Sequence, residues 1–232
     1  MTTISHSGTT VASATRRREP LLAASGVTCF VVTFAVLAIP HDSLDDGATA
    51  EQVRAFFTQH YALQQSQTVM HTIGALAMLV FLARLATLLR RCERPGEGWD
   101  RLVLAAGGAV TAVIVIAMGF VSAVIFLTGT MDGALQFMLY RMGWDFHFKI
   151  AYLLPLVLLP TCHVLRREHA APAVVTWSGL LLGGLALAST LGNLSKDTMF
   201  VQYPVFMLFL LWILLTGLVV GLRGISEPRT VS

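Results

Sequence analysis

A chain of 232 residues that is 55% hydrophobic and only 12% charged lies outside the composition of water-soluble domains, which carry about 25% charged residues. Its formal charge of +3 does not mark a nucleic-acid binder, because the arginines stand at the ends of apolar runs, where they set topology. The composition predicts an all-α polytopic membrane bundle of about six transmembrane helices, bathed in membrane lipids and without nucleic-acid partners.

Residues 1–20 are rich in Ser, Thr and Ala and carry Arg16-Arg17-Arg18. They predict a flexible cytoplasmic tail before a membrane domain over 21–223. The apolar run Leu21–Ile39 exceeds the roughly 7–15 residues of a signal-peptide core, so a retained first span at 21–40 is expected. Residues 41–66 form the longest loop and open with His41, Asp42, Asp45 and Asp46, whose spacing matches no closed zinc or calcium site. Thr49-Ala50-Glu51-Gln52 is a capping-box pattern that announces a helix. Val53, Phe56, Phe57, His60 and Tyr61 follow at helical spacing, so a short interfacial helix is predicted in this first outer loop.

The second span is expected at 67–89. His60, Gln64, Gln67 and His71 fall on one helical face, which Gly74, Ala75 and Met78 continue inward. A polar stripe narrowing to small residues faces protein or a water-filled vestibule, either as a hydrogen-bonded helix seam or as a reactive surface. Arg84 lies close enough to the inner end to snorkel to the headgroups. Further spans are expected at 102–128, 146–165, 173–192 and 203–222. Gly179 with Gly183, and Gly217 with Gly221, have the spacing that lets helices approach closely within a bundle.

Charge orients these spans. Arg16–Arg18, Arg84, Arg90, Arg91, Arg94, Arg101, Arg166, Arg167, Arg223 and Arg229 fall on one side, against Arg54, Arg141, Lys149 and Lys196 on the other. The positive-inside rule then places both termini, including a short tail at 224–232, in the cytoplasm. Cys29, Cys92 and Cys162 fall in separate segments without CxxC spacing, which implies neither a disulfide framework nor a zinc site. No cofactor is implied. A bis-histidine haem would need two facing histidines at one depth, and His163 has no evident partner on the inner side.

The stretch "MGWDFHFKIAY" at 142–152 concentrates ionisable groups among aromatics. On a helix Arg141, Asp145, Lys149 and Tyr152 share a face, so Asp145 and Lys149 are spaced for an i,i+4 ion pair. His147 projects about 200° from Asp145, so any Asp–His dyad would have to form across helices, with His71 as one partner. "GWD" also occurs at Gly98-Trp99-Asp100. Before an apolar span, such an Asp can cap a helix while the Trp sits at headgroup level. Capping therefore competes with catalysis as the role of Asp145.

The runs "TAEQVRAFFTQHYALQQSQTVMHTIGALAMLVFLARLATLLRR" and "FMLFLLWILLTGLVVGLRG" resemble six-span integral membrane proteins of high-GC bacteria. That likeness implies a multi-pass protein of the bacterial cytoplasmic membrane and carries no functional residues with it. In size, span count and acids bordered by aromatics, as in Trp144-Asp145-Phe146-His147-Phe148, the chain also looks like the small integral-membrane terpene cyclases of bacterial indole-terpenoid and meroterpenoid pathways. This second resemblance implies acid-initiated cyclisation of a lipophilic prenylated substrate, epoxidised in some cases. Asp145 would be the acid and His147 or His71 its orienting or reprotonating partner. Trp144, Phe146, Phe148, Tyr152 and Gln67 would line the pocket.

Two features oppose that assignment. Lys149 favours an ionised Asp145, and the site lies toward the outer face although prenyl substrates are made in the cytosol. Two other classes stay open. One is a proton or small-solute transporter using His60, Gln64, Gln67, His71 and Asp145, although Thr161, Cys162 and His163 are the only polar cluster farther in. The other is a non-catalytic membrane accessory protein.

Overall fold

The computed structural model describes residues 19–38, 48–191 and 199–222, apart from the side chains of residues 148, 191 and 199–201. The two tails, the loop that opens with His41 and the turn around Lys196 lie outside these residues. Every regular element among them is helical. The helices are α1 (Pro20–Ala38), α2 (Ala50–Gln59), α3 (Tyr61–Cys92), α4 (Trp99–Phe126), α5 (Gly133–Phe148), α6 (Leu154–Arg167), α7 (Ala173–Leu191) and α8 (Met199–Thr216). A 3-10 turn over Lys149–Tyr152 joins α5 to α6, and a π-helical segment, Gly217–Leu222, extends α8.

The capping box forms as its sequence predicts. Thr49 Oγ1 accepts from the Gln52 backbone N–H at 3.3 Å, and Gln52 Oε1 accepts from the Thr49 N–H at 2.8 Å. These bonds satisfy donors that the first helical turn leaves without intrahelical partners. Helix α2 is not only an interfacial strip: Val53, Phe56 and Phe57 are buried, and the helix packs on α5. It ends at His60, whose backbone N–H and Nδ1 both approach the Phe56 carbonyl. From Tyr61 the chain runs on as a helix of 32 residues, about 48 Å long and well beyond a hydrocarbon core of about 30 Å.

Neighbouring helices close a ring. α3 packs between α1 and α4, α4 reaches α6, α6 lies on α7, α7 on α8, and α8 with its π segment returns to α1. α5 leans on α4 and α2 at one end of this ring. Small residues make the close contacts, as their spacing predicts. A Cβ on Gly179 would run into Cys162 Sγ and lie 2.6 Å from Trp212 Nε1. The Trp212 indole N–H donates to the Val175 carbonyl at 3.1 Å. Gly217 and Gly221 sit against the α1 backbone at Leu22 and Ala23.

The largest departure from expectation is the fourth span. Hydropathy places its start at 146, whereas the helix begins at Gly133, so the membrane-crossing element is the broken pair Gly133–Arg167. Its N-cap is Asp132, whose Oδ1 accepts from the backbone N–H groups of Ala134 at 2.9 Å and Leu135 at 3.4 Å. Gln136 explains much of the discrepancy, since it lowers the local hydropathy yet is fully buried. Its Nε2 donates to Thr128 Oγ1 at 3.0 Å and to the Val124 carbonyl at 3.3 Å on the α4 side. Asp145 therefore lies inside α5 and cannot be a helix cap. The two GWD sequences are not equivalent: Gly98 caps α4 in the left-handed conformation, with φ 73°, whereas Gly143 is a mid-helix contact.

The end of the bundle that carries Arg90, Arg91, Arg94, Arg101, Arg166 and Arg167, here the basic end, is tied by ion pairs. Arg167 holds Glu97 through both terminal nitrogens, at 2.5 and 2.9 Å, and Glu168 through Nε at 2.7 Å. Arg91 pairs with Glu19 at 2.8 Å. The hydrogen bonds from Arg167 hold the Glu97 carboxyl down from 4.5 to about 2. A depressed carboxylate stabilises the fold fully above its unfolded value and loses that contribution as pH falls through the folded one. Glu97→Gln is therefore expected to lower Tm at pH 7. The gap from the parent protein should close as pH falls from 4.5 toward 2, which thermal melts across that range would check.

Candidate functional site

The polar face of α3 is buried, as its stripe of residues predicts. Gln64, Gln67, Thr68 and His71 all point inward, followed by Gly74, Ala75 and Met78. His60 stands apart at the α2–α3 junction and is half-buried. His71, 3% exposed, approaches the Gln67 carbonyl through Nδ1 at 3.1 Å. That bond makes Nδ1 the protonated nitrogen, so in the neutral ring Nε2 carries the lone pair. Nε2 is buried and has no hydrogen-bond partner among the described residues.

α5 brings His147 to the same place. The His71 and His147 ring centroids are 5.4 Å apart with the planes at 90°, and His147 is 1% exposed. Two facing histidines at one depth are thus present, although not the pair that His163 would have formed. Trp144 lies 6.2 Å from His71 and 6.0 Å from His147, and Phe206 of α8 closes the far side at 5.1 Å from His147. The rings continue outward through Tyr140, at 6.3 Å from Trp144, to Phe57 of α2, at 5.3 Å from Tyr140. An aromatic file therefore runs from α2 into the bundle and ends on the histidine pair.

The remaining residues singled out in the sequence are distributed around this file rather than gathered in it. Asp145 is half-buried on another face of α5. The expected Asp145–Lys149 ion pair is absent among the described residues, because the helix gives way to the 3-10 turn at Lys149 and loses the i,i+4 geometry. Lys149 instead turns to Tyr152, with Nζ 3.4 Å from its hydroxyl and 5.5 Å from its ring centroid. Tyr152 in turn meets Gln202 Nε2 of α8 at 3.5 Å. Phe146 is 41% exposed and packs beside Phe120 at 5.9 Å, away from the histidines. The Phe148 side chain lies outside the described residues. Gln67 enters the site through its backbone carbonyl.

Phe206 belongs to the site but escapes a sequence reading, and Gln202, which meets Tyr152 beside it, escapes one too. Gln202 is the one with a signal, a buried amide beside an apolar run. Chemically, the site sets two imidazoles edge to face beside Trp144 and Phe206, aromatic rings whose faces can stabilise positive charge. Among the described residues no three His, Cys, Asp or Glu side chains come together as a metal site.

Six helices long and apolar enough to cross a bilayer, enclosing a buried histidine–aromatic centre, define a multi-pass membrane protein. No protein-family model, curated protein or solved structure matches the chain.

Proposed function

We propose that the His71–His147 pair is the acid–base centre of a membrane-embedded enzyme that acts on a lipophilic small molecule. Cyclisation of a prenylated, epoxide-bearing chain is the reaction class that best suits its lining. The observation that carries this proposal is the edge-to-face contact of two buried imidazoles in an aromatic file. Ionisable residues are costly at membrane depth and mark function by default. Trp144, Tyr140 and Phe206 offer ring faces to a travelling carbocation.

The proton balance fits a pair of bases. His147 in its imidazolium form gives the proton that opens the epoxide and becomes part of the new hydroxyl, which leaves His147 neutral. At the end a C–H bond next to the final cation breaks, its electrons form the alkene, and its proton goes to His71 Nε2. The proton then passes from His71 back to its neighbour His147, so the centre is reset and no oxidant or reductant is consumed. Asp145, on its separate face, has no part in this scheme, which removes the difficulty posed by a lysine beside a proton donor.

The test is an assay of membranes containing the full chain with epoxidised prenyl-aromatic substrates. His71→Gln and His147→Gln are each expected to lower product by at least about 100-fold, the lower end of what general acid–base catalysis contributes. Asp145→Asn should retain activity within about threefold. Product undiminished in both histidine variants would leave the pair as a structural seam with the chemistry elsewhere, whereas no product from the parent protein would favour a non-catalytic accessory protein.

A further inference from the structure

A groove of about 290 Å³ runs between α7 and α8 on the outside of the ring, and none of the residues of the histidine site lines it. Ser178, Leu181 and Leu185 form one bank, Leu208 and Leu215 the other, and Trp212 lies in its floor. From Ser178 to Leu185 it extends about 10 Å along the helix axis. It starts just inside the basic end, because α7 begins immediately after the turn that follows Arg167.

At that end Arg166 lies over the Trp177 ring, with Cζ 3.9 Å from the centroid. Trp177 is 49% exposed and stands one turn above Leu181, itself 72% exposed. Arg167 beside it is already committed to Glu97 and Glu168. Arg166 has no carboxylate partner among the described residues, so a stacked guanidinium keeps its in-plane N–H donors for an outside acceptor.

We propose that this face is a binding site for an anionic phospholipid of the surrounding membrane, with its phosphate on Arg166 and one acyl chain in the α7–α8 groove. Three features converge on that occupant. The groove is lined almost wholly by apolar side chains and opens on the outer surface of the bundle. A Trp at its mouth marks the headgroup level, where indole rings settle. The cation at the same mouth is an arginine, whose planar fork matches phosphate oxygens in pairs. Basic pockets between membrane helices recognise anionic headgroups in this way.

The experiment is native mass spectrometry of the full chain in detergent, titrated with phosphatidylglycerol or phosphatidylcholine of identical acyl chains. The parent protein is expected to retain phosphatidylglycerol at least tenfold more tightly. Arg166→Gln should reduce it to the phosphatidylcholine level, whereas Arg90→Gln on α3 should leave the preference intact. Leu211→Trp, which fills the groove, should weaken retention of both lipids. Inorganic phosphate at millimolar concentration should fail to displace phosphatidylglycerol. Equal retention of the two lipids by the parent, a preference that survives Arg166→Gln, displacement by free phosphate, or a dimer that excludes lipid would each overturn the proposal.

Discussion

Gly143→Leu is expected to lift α5 off α4 and to break the histidine pair without touching either histidine. A Cβ at position 143 would lie 2.8 Å from Val121 Cγ2 and 2.9 Å from the Ala117 carbonyl oxygen. The second neighbour is backbone of a long helix and cannot turn aside as a side chain end would. Overpacking of this kind costs about 1–3 kcal/mol, and here the cheaper response is movement of α5. His147 lies four residues on, along the same face as Gly143, so outward movement of α5 withdraws it from His71. The variant should show a lower Tm in detergent together with loss of whatever activity His71→Gln abolishes. Gly143→Ala, with a single methyl, should show a smaller decrease of the same sign. An unchanged Tm for Gly143→Leu would mean that α5 does not bear on α4 as described.

Much of the architecture was legible in the sequence because the bilayer allows few solutions. A lipid-facing backbone must satisfy its own hydrogen bonds, so long apolar runs become helices. Five of the six spans fall close to where hydropathy puts them, and the capping box at Thr49 forms with both of its bonds. The inward face of α3 was also visible, because Gln64, Gln67 and His71 recur at helical spacing.

What was hidden depends on contacts between helices. Residues 133–148 hold Gln136, Arg141, Asp145 and His147, and averaging over them hides a helix whose polar groups are partly buried against α4 and α8. With the start of the fourth span misplaced, Asp145 looked like a cap and a partner of Lys149. The 3-10 turn that denies the pairing has no signature beyond Pro155 shortly after it. The site itself follows the same division: His71 and His147 were visible one by one, but their meeting was not. Phe206 could not have been chosen from the many apolar residues of its span.

A pair that serves chemistry and a pair that holds helices together respond differently to apolar replacement. Removing one partner of a buried polar contact strands the other, whereas replacing both with apolar groups of similar size can be nearly neutral. The double variant His71→Leu, His147→Leu should therefore melt within about 1 kcal/mol of the parent and form no product. The Gln67 carbonyl that His71 engages is not stranded, because it already serves the helix bond four residues on. His147→Asp is the opposite case. At 1% exposure and ringed by Trp144, Phe206 and His71, a carboxylate there should destabilise by at least about 2.5–3.5 kcal/mol, the cost of a charge at membrane depth. Chemical denaturation in mixed micelles would read both values. If the double leucine variant instead lost as much stability as His147→Asp, the histidines would be there for packing, and acid–base chemistry would have to be sought elsewhere. Full stability with no product would mean that the two imidazoles are maintained in an apolar setting for what their nitrogens do.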